Sequence, residues 1–480
     1  MKPYWIAGIL FAAAFAGLMA VRLNLFVVPG QVPPAGLVAL GERDTWMHIF
    51  QGDQKIGFSH SILKRDPAGY RLEQTVRMRL STMGLVQDVT LSTRSRLNPD
   101  LSLFSFDFRM DSGRFRFEGK GIHEKGKLAV EMKGTGGARQ MEIPVSGPVH
   151  PASVIYDAVI ASGMKPGETR RFDVFDIASL GRTPVSVTME GKEKIFLMGA
   201  SRDVSKVTLD YKGMTQEAWI SEEGEVLKEE GLLGMRLEKT DRYKAVSGIV
   251  SRPDRDLTHL ASVPVDTPIE NPKTRTRLAV KIDGILAANL DLNGGRQRFY
   301  EKTLVIEKER LPDLENASVA TPLDAAYLYA TPFIQSDHDR IRDLSLRITT
   351  VWDRPLEKAR AIVDWIQENI QKKPVLSIPD ALSVLENRSG DCNEHAVLFA
   401  ALARAAGIPA RVEAGLVYLK DGFYYHAWNL VDVGGWITVD ALFNEIPADV
   451  THIRLIRDAE KKQLDLLPVI GRIGITVVDE

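Results

Sequence analysis

The sequence predicts an α+β protein with an N-terminal transmembrane helix, an antiparallel all-β domain and a C-terminal core of helices packed on a sheet. Three observations predict it. Residues Pro3 to Val21 carry no charge. From about Trp46 to residue 250 apolar and polar side chains alternate with period two. From Thr321 the apolar spacing becomes helical and then returns to strand-like runs.

The chain of 480 residues is long enough for about two to four domains. Its hydrophobic fraction of 44% and charged fraction of 26% are those of a globular protein. Sixty-one basic against 63 acidic side chains leave a formal charge of -2, which gives no electrostatic case for a nucleic-acid partner. Cys392 is the single cysteine, so an internal disulfide and a zinc site of several thiolates are both excluded.

The run PYWIAGILFAAAFAGLMAV lies between Lys2 and Arg22. About 20 apolar residues cross a bilayer core as a helix, and Tyr4 and Trp5 suit the interface. A cleaved signal is the rival reading, although Leu18 fits poorly at the small-residue position before Ala20. Residues 1–22 are therefore expected to anchor or export the chain and to leave its bulk periplasmic or otherwise extracytoplasmic. Residues 23–45, with VVPGQVPPAG, read as an extended tether.

In the β domain, 46–250, Val76, Met78 and Leu80 alternate with Arg77 and Arg79. Phe104, Phe106, Phe108 and Met110 repeat the pattern, as do Val185, Val187 and Met189, then Val207, Leu209 and Tyr211. Such strands bury one face and wet the other. One helical segment near 151–162 interrupts them. The domain reads as a folded spacer or as a concave sheet that holds a ligand. His48, His60, His123 and His150 are scattered without metal-ligand spacing.

Four prolines in 252–273 mark a linker, placed at 251–274. Short β segments, 275–320, include LAVKIDGI and TLVIEKE. The domain 321–450 opens with helices. In 355–370, Leu356, Ala359, Ile362, Val363, Ile366 and Ile370 share one helical face, and Asp353 and Pro355 suit its start. Residues 451–480 read as a tail.

The stretch SVLENRSGDCNEHAVLFAALARAAGIPARVEAG carries chemistry. Asp391 and Glu394 have capping-box spacing, which starts a helix at Cys392, and Gly407 and Pro409 end it. The helix is apolar enough to be buried. A thiol on its first turn would sit in the positive end of the helix dipole, with a lowered pKa. The free N–H groups there can hold an oxyanion. Downstream, two strand runs flank Asp432, Val433 and Gly434. A three-residue loop at those positions sets Val431 opposite Gly435 and His426 opposite Asp440. A carboxylate so placed orients an imidazole.

GDCNEHA, GIPARVEAG, HAW and GWITVD, in this order, resemble the core of the transglutaminase-like superfamily. The segment YLYATPFIQSDHDRIRDLSLRIT and the helix holding Trp365 are similar to what precedes the cysteine in bacterial members. Ala441 follows Asp440 where many relatives carry proline. The resemblance implies a papain-like core with Cys392 as nucleophile, His426 as general base and acid, and Asp440 as orienting carboxylate. It implies attack on a peptide or carboxamide carbonyl, a thioester, and transfer of the acyl group to water or an amine. Hydrolysis is favoured, since exported bacterial relatives look more like thiol peptidases than cross-linkers. The implied partner is a peptide or protein substrate, together with a membrane through the N-terminal helix.

No cofactor is expected: the chemistry needs no metal, and no calcium-ligand cluster is visible. His395 reads as a packing neighbour of Cys392, because a Cys392, His395 and His426 metal site would be an odd ligand set. The alternative function is a non-catalytic one, with the β domain as the binding part and the C-terminal domain as a degenerate module.

Overall fold

The structure is a computed structural model. It describes residues 26–28 and 40–478, apart from 83–84, 114, 135–136, 146–149, 152–153, 177–180, 212–213, 251–255, 286–289, 313–323, 376–378 and 460–462. The expected N-terminal membrane helix lies outside the described residues. Among the described residues no helix is long and apolar enough to cross a membrane. Short stretches apart, the chain divides into a unit that ends at Asp256 and a unit over Leu257–Glu480.

In the first unit, sixteen strands among the described residues form one antiparallel sheet. Most strands pair with their sequence neighbours, the pattern expected of successive hairpins. The strand Met235–Thr240 pairs back onto Arg43–Gln51, with Leu237 opposite Ile49. The period-two pattern becomes burial: Val76, Met78, Leu80, Val185, Val187, Met189, Val207 and Leu209 are all buried. Phe104 departs from it. The register shifts between Arg96 and Leu97, opposite the start of strand Leu103–Ser112. The bulge turns Leu103 inward and leaves Phe104 exposed, while Phe106, Phe108 and Met110 keep the expected face. The helical interruption is Ile155–Ala161. Three residues of the expected tether, Phe26–Val28, form a strand beside Thr169–Asp176.

The second unit holds β1 (Val263–Pro264), β2 (Arg277–Asp283), β3 (Gln297–Tyr300) and β4 (Thr303–Glu307). Its longer α-helices are α1 (Asp339–Thr349), α2 (Pro355–Asn369), α3 (Ala381–Asn387) and α4 (Cys392–Ala405). Further strands are β5 (Ala410–Leu419), β6 (Gly422–Asp432), β7 (Trp436–Val439), β8 (Ile453–Arg457) and β9 (Gly474–Val477). One sheet runs β1-β6-β5-β8, with β7 also on β6, and a second runs β3-β4-β2-β9. Helix α2 buries Leu356, Ala359, Ile362, Val363 and Ile366, the face its spacing predicts, and has proline in its first turn. Helix α4 is buried from Cys392 to Arg404 and packs on α1, α3, β5 and β6. Gly407, at φ +81°, ends it.

Two expected boundaries need correction. The linker is not free of structure: Leu257–Ala261 is helical, and Val263 pairs with Phe423 of β6. Leu257, Ala261 and Val263 are buried, and that apolar burial outweighs the prolines around them. Residues 451–480 are not a tail. Strand β8 pairs with β5, strand β9 pairs with β2, and Ile453, Leu455 and Ile456 lie in the core.

Candidate active site

Cys392 opens α4, as the Asp391–Glu394 spacing requires. The Asp391 N–H donates to Glu394 Oε2 at 3.1 Å, the return bond of a capping box. Cys392 is only 1% exposed. Its Sγ accepts the Ala427 N–H at 2.9 Å, which fastens the first turn of α4 to the middle of β6. Asn429, two residues along β6, donates from its side chain to the Ala396 carbonyl at 3.0 Å. The helix start and the strand carrying His426 are therefore held in fixed relation by two bonds.

His426 and Asp440 meet, but not by the expected register. The ladder sets Asp432 opposite Trp436, Val431 opposite Ile437 and Asn429 opposite Val439. The loop has three residues, as anticipated, but they are Val433, Gly434 and Gly435. Asp432 Oδ1 explains the shift: it accepts the N–H groups of Gly434 and Gly435 at 3.1 and 2.9 Å, so the turn closes one residue later. Asp440 lies past the end of β7, in a bridge with Glu445. The shift moves the pairing by two positions, which keeps both side chains on one face as diagonal neighbours. His426 Nε2 lies 2.5 Å from Asp440 Oδ2.

The tautomer follows. An ionised carboxylate only accepts, so His426 Nε2 carries the hydrogen. His426 Nδ1 is buried and has no partner in the protein. Burial lowers the His426 pKa, and this outweighs the upward pull of Asp440. For Asp440, burial acts upward, but the charges and hydrogen bonds of His426 and His452 win and hold it far below the usual carboxylate range. Its other oxygen, Oδ1, accepts the N–H groups of Leu442 and Phe443 at 2.8 and 2.9 Å.

The lowered thiol pKa expected at a helix start is not what the site supports. Burial pushes the Cys392 thiol well above its ordinary value, and Asp391, Asp440 and Glu394 push the same way. The Ala427 N–H pulls back without winning. Burial is the main cause, and the acids that cap α4 add to it. Burial therefore favours a neutral thiol beside a neutral imidazole.

His395 lies one turn beyond Cys392. Its Nδ1 faces the Asp391 carbonyl at 2.5 Å, its Nε2 is buried without a partner, and burial lowers its pKa to about 4. One site residue escaped the sequence reading. His452, in the segment read as a tail, places Nε2 at 3.0 Å from Asp440 Oδ2 and Nδ1 at 3.2 Å from Asp449 Oδ1. Its local signal was the Asp449–His452 spacing, which is too common to select by itself. Among the described residues, two sets bring ligand-capable atoms within 4.8 Å of one another: His426, Asp440 and His452, and Glu445, Asp449 and His452. Neither is the Cys392, His395 and His426 set weighed from sequence. In both, His452 and the carboxylates it faces already hydrogen-bond through those atoms.

Residues 342–441 match the family model of the transglutaminase-like superfamily. An uncharacterized protein of Haemophilus influenzae is 29% identical over 35% of this chain, and the chain spans 54% of that relative's length. A β-barrel-like protein of a domain of unknown function from Brucella abortus aligns with 42% of this chain and 98% of its own, at 14% identity and a TM-score of 0.34. The periplasmic domain of TgpA from Pseudomonas aeruginosa, bound to ethylmercury, aligns with 34% of this chain and 65% of its own, at 20% identity and a TM-score of 0.24.

Proposed function

The chain carries a transglutaminase-like domain at residues 342–441, and from that premise we propose that it is a cysteine hydrolase or acyltransferase acting on peptide or carboxamide bonds. One observation carries the reading. Cys392 Sγ is bonded to the N–H of the residue next to His426, and Asp440 holds the far nitrogen of that imidazole, leaving Nδ1 bare.

In the reaction His426 Nδ1 takes the Cys392 proton as sulfur attacks the carbonyl carbon. The imidazolium is stabilised by Asp440, whose carboxylate stays ionised. The tetrahedral intermediate then collapses: the C–N bond breaks, His426 returns the proton to the leaving amine, and a thioester remains on Cys392. Water or a second amine enters by the reverse steps, with His426 again as base. Water gives hydrolysis, the outcome we favour, and an amine gives a cross-link. The backbone N–H groups at the start of α4 are the candidate donors to the oxyanion. We also propose that the run Pro3–Val21 exports the chain, which reporter fusions after residue 45 would test.

Because Cys392 is the single thiol, a mass label reads it without ambiguity. Iodoacetamide should alkylate the folded chain at pH 7, and His426→Ala should slow labelling at least about tenfold, since the thiol then lacks its base. Labelling that requires denaturant, or that proceeds as fast in His426→Ala, would make Cys392 an inert core thiol. Cys392→Ala should remove turnover and leave the fold intact.

A further inference from the structure

His452 is fully buried, and the two groups it faces, Asp440 and Asp449, are 1% and 6% exposed. Both of its ring nitrogens point at carboxylate oxygens, at 3.0 and 3.2 Å. An ionised carboxylate offers no hydrogen, so the ring must supply one from each nitrogen to satisfy both bonds. That is an imidazolium. Its backbone is pinned independently: Arg296 Nη2 donates to the carbonyls of Asp449 and His452 at 2.6 and 3.0 Å, and Nη1 donates to that of Ala448 at 2.8 Å. Asp449 Oδ1 is also fixed by the Thr451 N–H and hydroxyl, at 2.8 and 2.6 Å. His452 is therefore a charged ring in a rigid cradle, and its ring centre is 5.5 Å from that of His426.

We infer that His452 is a positioning residue: an imidazolium held between Asp440 and Asp449 that fixes Asp440 toward His426 and offsets part of its charge, so that His426 rests neutral with Nδ1 free for the Cys392 proton. The role rests on the acyl-transfer reading above. Asp440, unscreened in a dry site, pulls the His426 pKa upward against the burial that lowers it. A second cation on the same oxygen opposes that, and His452 does push His426 downward. The charge of His452 is sustained by its own cradle. Burial works against it, but the bonds to Asp440 and Asp449 overcome burial and raise its pKa to about 9.

Other charged groups face the pair and act alongside. Helix α4 presents Asp391, Cys392 and His395, and the segment after α2 presents Lys372, whose own pKa is lowered by burial against a pull from Asp440. Glu445 also pulls His426 upward, but it is paired with Lys273 at 3.0 Å. His452 is the cation that shares a carboxylate oxygen with His426, which is why its removal is the informative change.

The test uses the full chain with ¹⁵N-labelled histidine, read by imidazole NMR across pH, together with the pH–rate profile of iodoacetamide labelling at Cys392. In the wild type both His452 nitrogens should stay protonated at pH 8. A neutral His452 ring at pH 7 overturns the inference without any variant. In His452→Gln the side-chain amide can still donate to Asp440 but carries no charge. The His426 midpoint should then rise by roughly one to two pH units, the size expected for losing a unit charge at this distance in a partly polarisable interior. The alkylation profile should move with it. A folded His452→Gln with the wild-type His426 midpoint sinks the idea, because a purely structural role predicts that glutamine restores everything histidine supplies. His452→Ala should show the same upward shift with a less stable fold. If the His426 midpoint moves as stated but native Cys392 is never labelled below pH 8, the positioning effect stands and the acyl-transfer reading fails.

Discussion

The two units of this chain differ in how they handle charge. In the β unit ion pairs decorate the wet face: the side chains of Arg79 and Asp88 are 42% and 47% exposed, and those of Lys192 and Glu222 are 69% and 66% exposed. The C-terminal unit has such surface pairs too, Lys302 with Asp283 among them, but adds sealed ones: Arg454 and Glu413 are 3% and 2% exposed, and His426 and Asp440 are 0% and 1% exposed. Arg43 with the buried Asp157 is the β unit's exception. Exposed pairs are screened and contribute little, whereas a buried charge must be matched or it costs several kcal/mol. A sheet held by alternating apolar faces needs no inner ions. A site that moves protons does, and the C-terminal core is built around them.

The sharpest test of this contrast is Asp440→Asn, which leaves two imidazoles facing an amide. Labelling of Cys392 at pH 7 should fall by about 10²-fold, less than the ~10⁴ known for the equivalent change in a serine triad, because a thiol needs less help from its base. An unchanged rate would detach the buried network from the chemistry. Next in size is Arg454→Met. Arg454 donates to the carbonyls of Asp291, Asn293 and Gly294 besides pairing with Glu413. Its loss leaves Glu413 with the Trp428 N–H and the more distant Arg457, so denaturant unfolding should show a cost of about 3 kcal/mol.

The pH dependence of stability follows from two histidines. The His452 pKa is raised from 6.5 to about 9, so its contribution is complete below pH 6.5 and disappears as pH rises through 9. That loss is on the order of 3 kcal/mol. The His395 pKa is lowered to about 4, so the neutral ring's contribution is complete above pH 6.5 and fades toward pH 4. Hydrogen exchange on peptides from Leu257–Glu480 should therefore show greatest protection near pH 6.5, after correction for intrinsic exchange rates. The alkaline decline should be absent from the β unit, where His48, also lowered to about 4, gives only an acid-side loss. Smallest of all is Arg79→Ala, which should leave the melting temperature unchanged within scan error. A clear drop would mean that the surface pairs matter more than this contrast allows.

What the sequence disclosed was local or periodic. Period two gave the buried faces of the β unit, and its failure at Phe104 came from a bulge that no pattern in the strand announces. The Asp391–Glu394 spacing gave the first residue of α4 because capping is decided within four positions. The hairpin had the right length and the wrong loop, since the choice between neighbouring registers turned on one Asp432 side chain bonding two glycine N–H groups. The contact of His426 with Asp440 survived because a two-position slip preserves the face. His452 was invisible for the opposite reason. Its role depends on β8 returning to lie beside β5, and nothing within reach of residues 449–452 encodes that pairing. The prolines of the linker misled in the same way, since what orders Leu257–Ala261 is a core formed by residues far along the chain.

The sealed, protonated sulfur of Cys392 has a consequence for how the protein ages. Within this chain no second thiol exists to condense with a sulfenic acid, so an oxidised Cys392 cannot be rescued by an internal disulfide and depends on an outside thiol before further oxidation makes the loss irreversible. Peroxide attacks thiolates at exposed sites. A sulfur that is 1% exposed and bonded to a backbone N–H meets peroxide slowly, as it meets iodoacetamide slowly, until a substrate is engaged. The arrangement lengthens the time for which the idle nucleophile stays reduced.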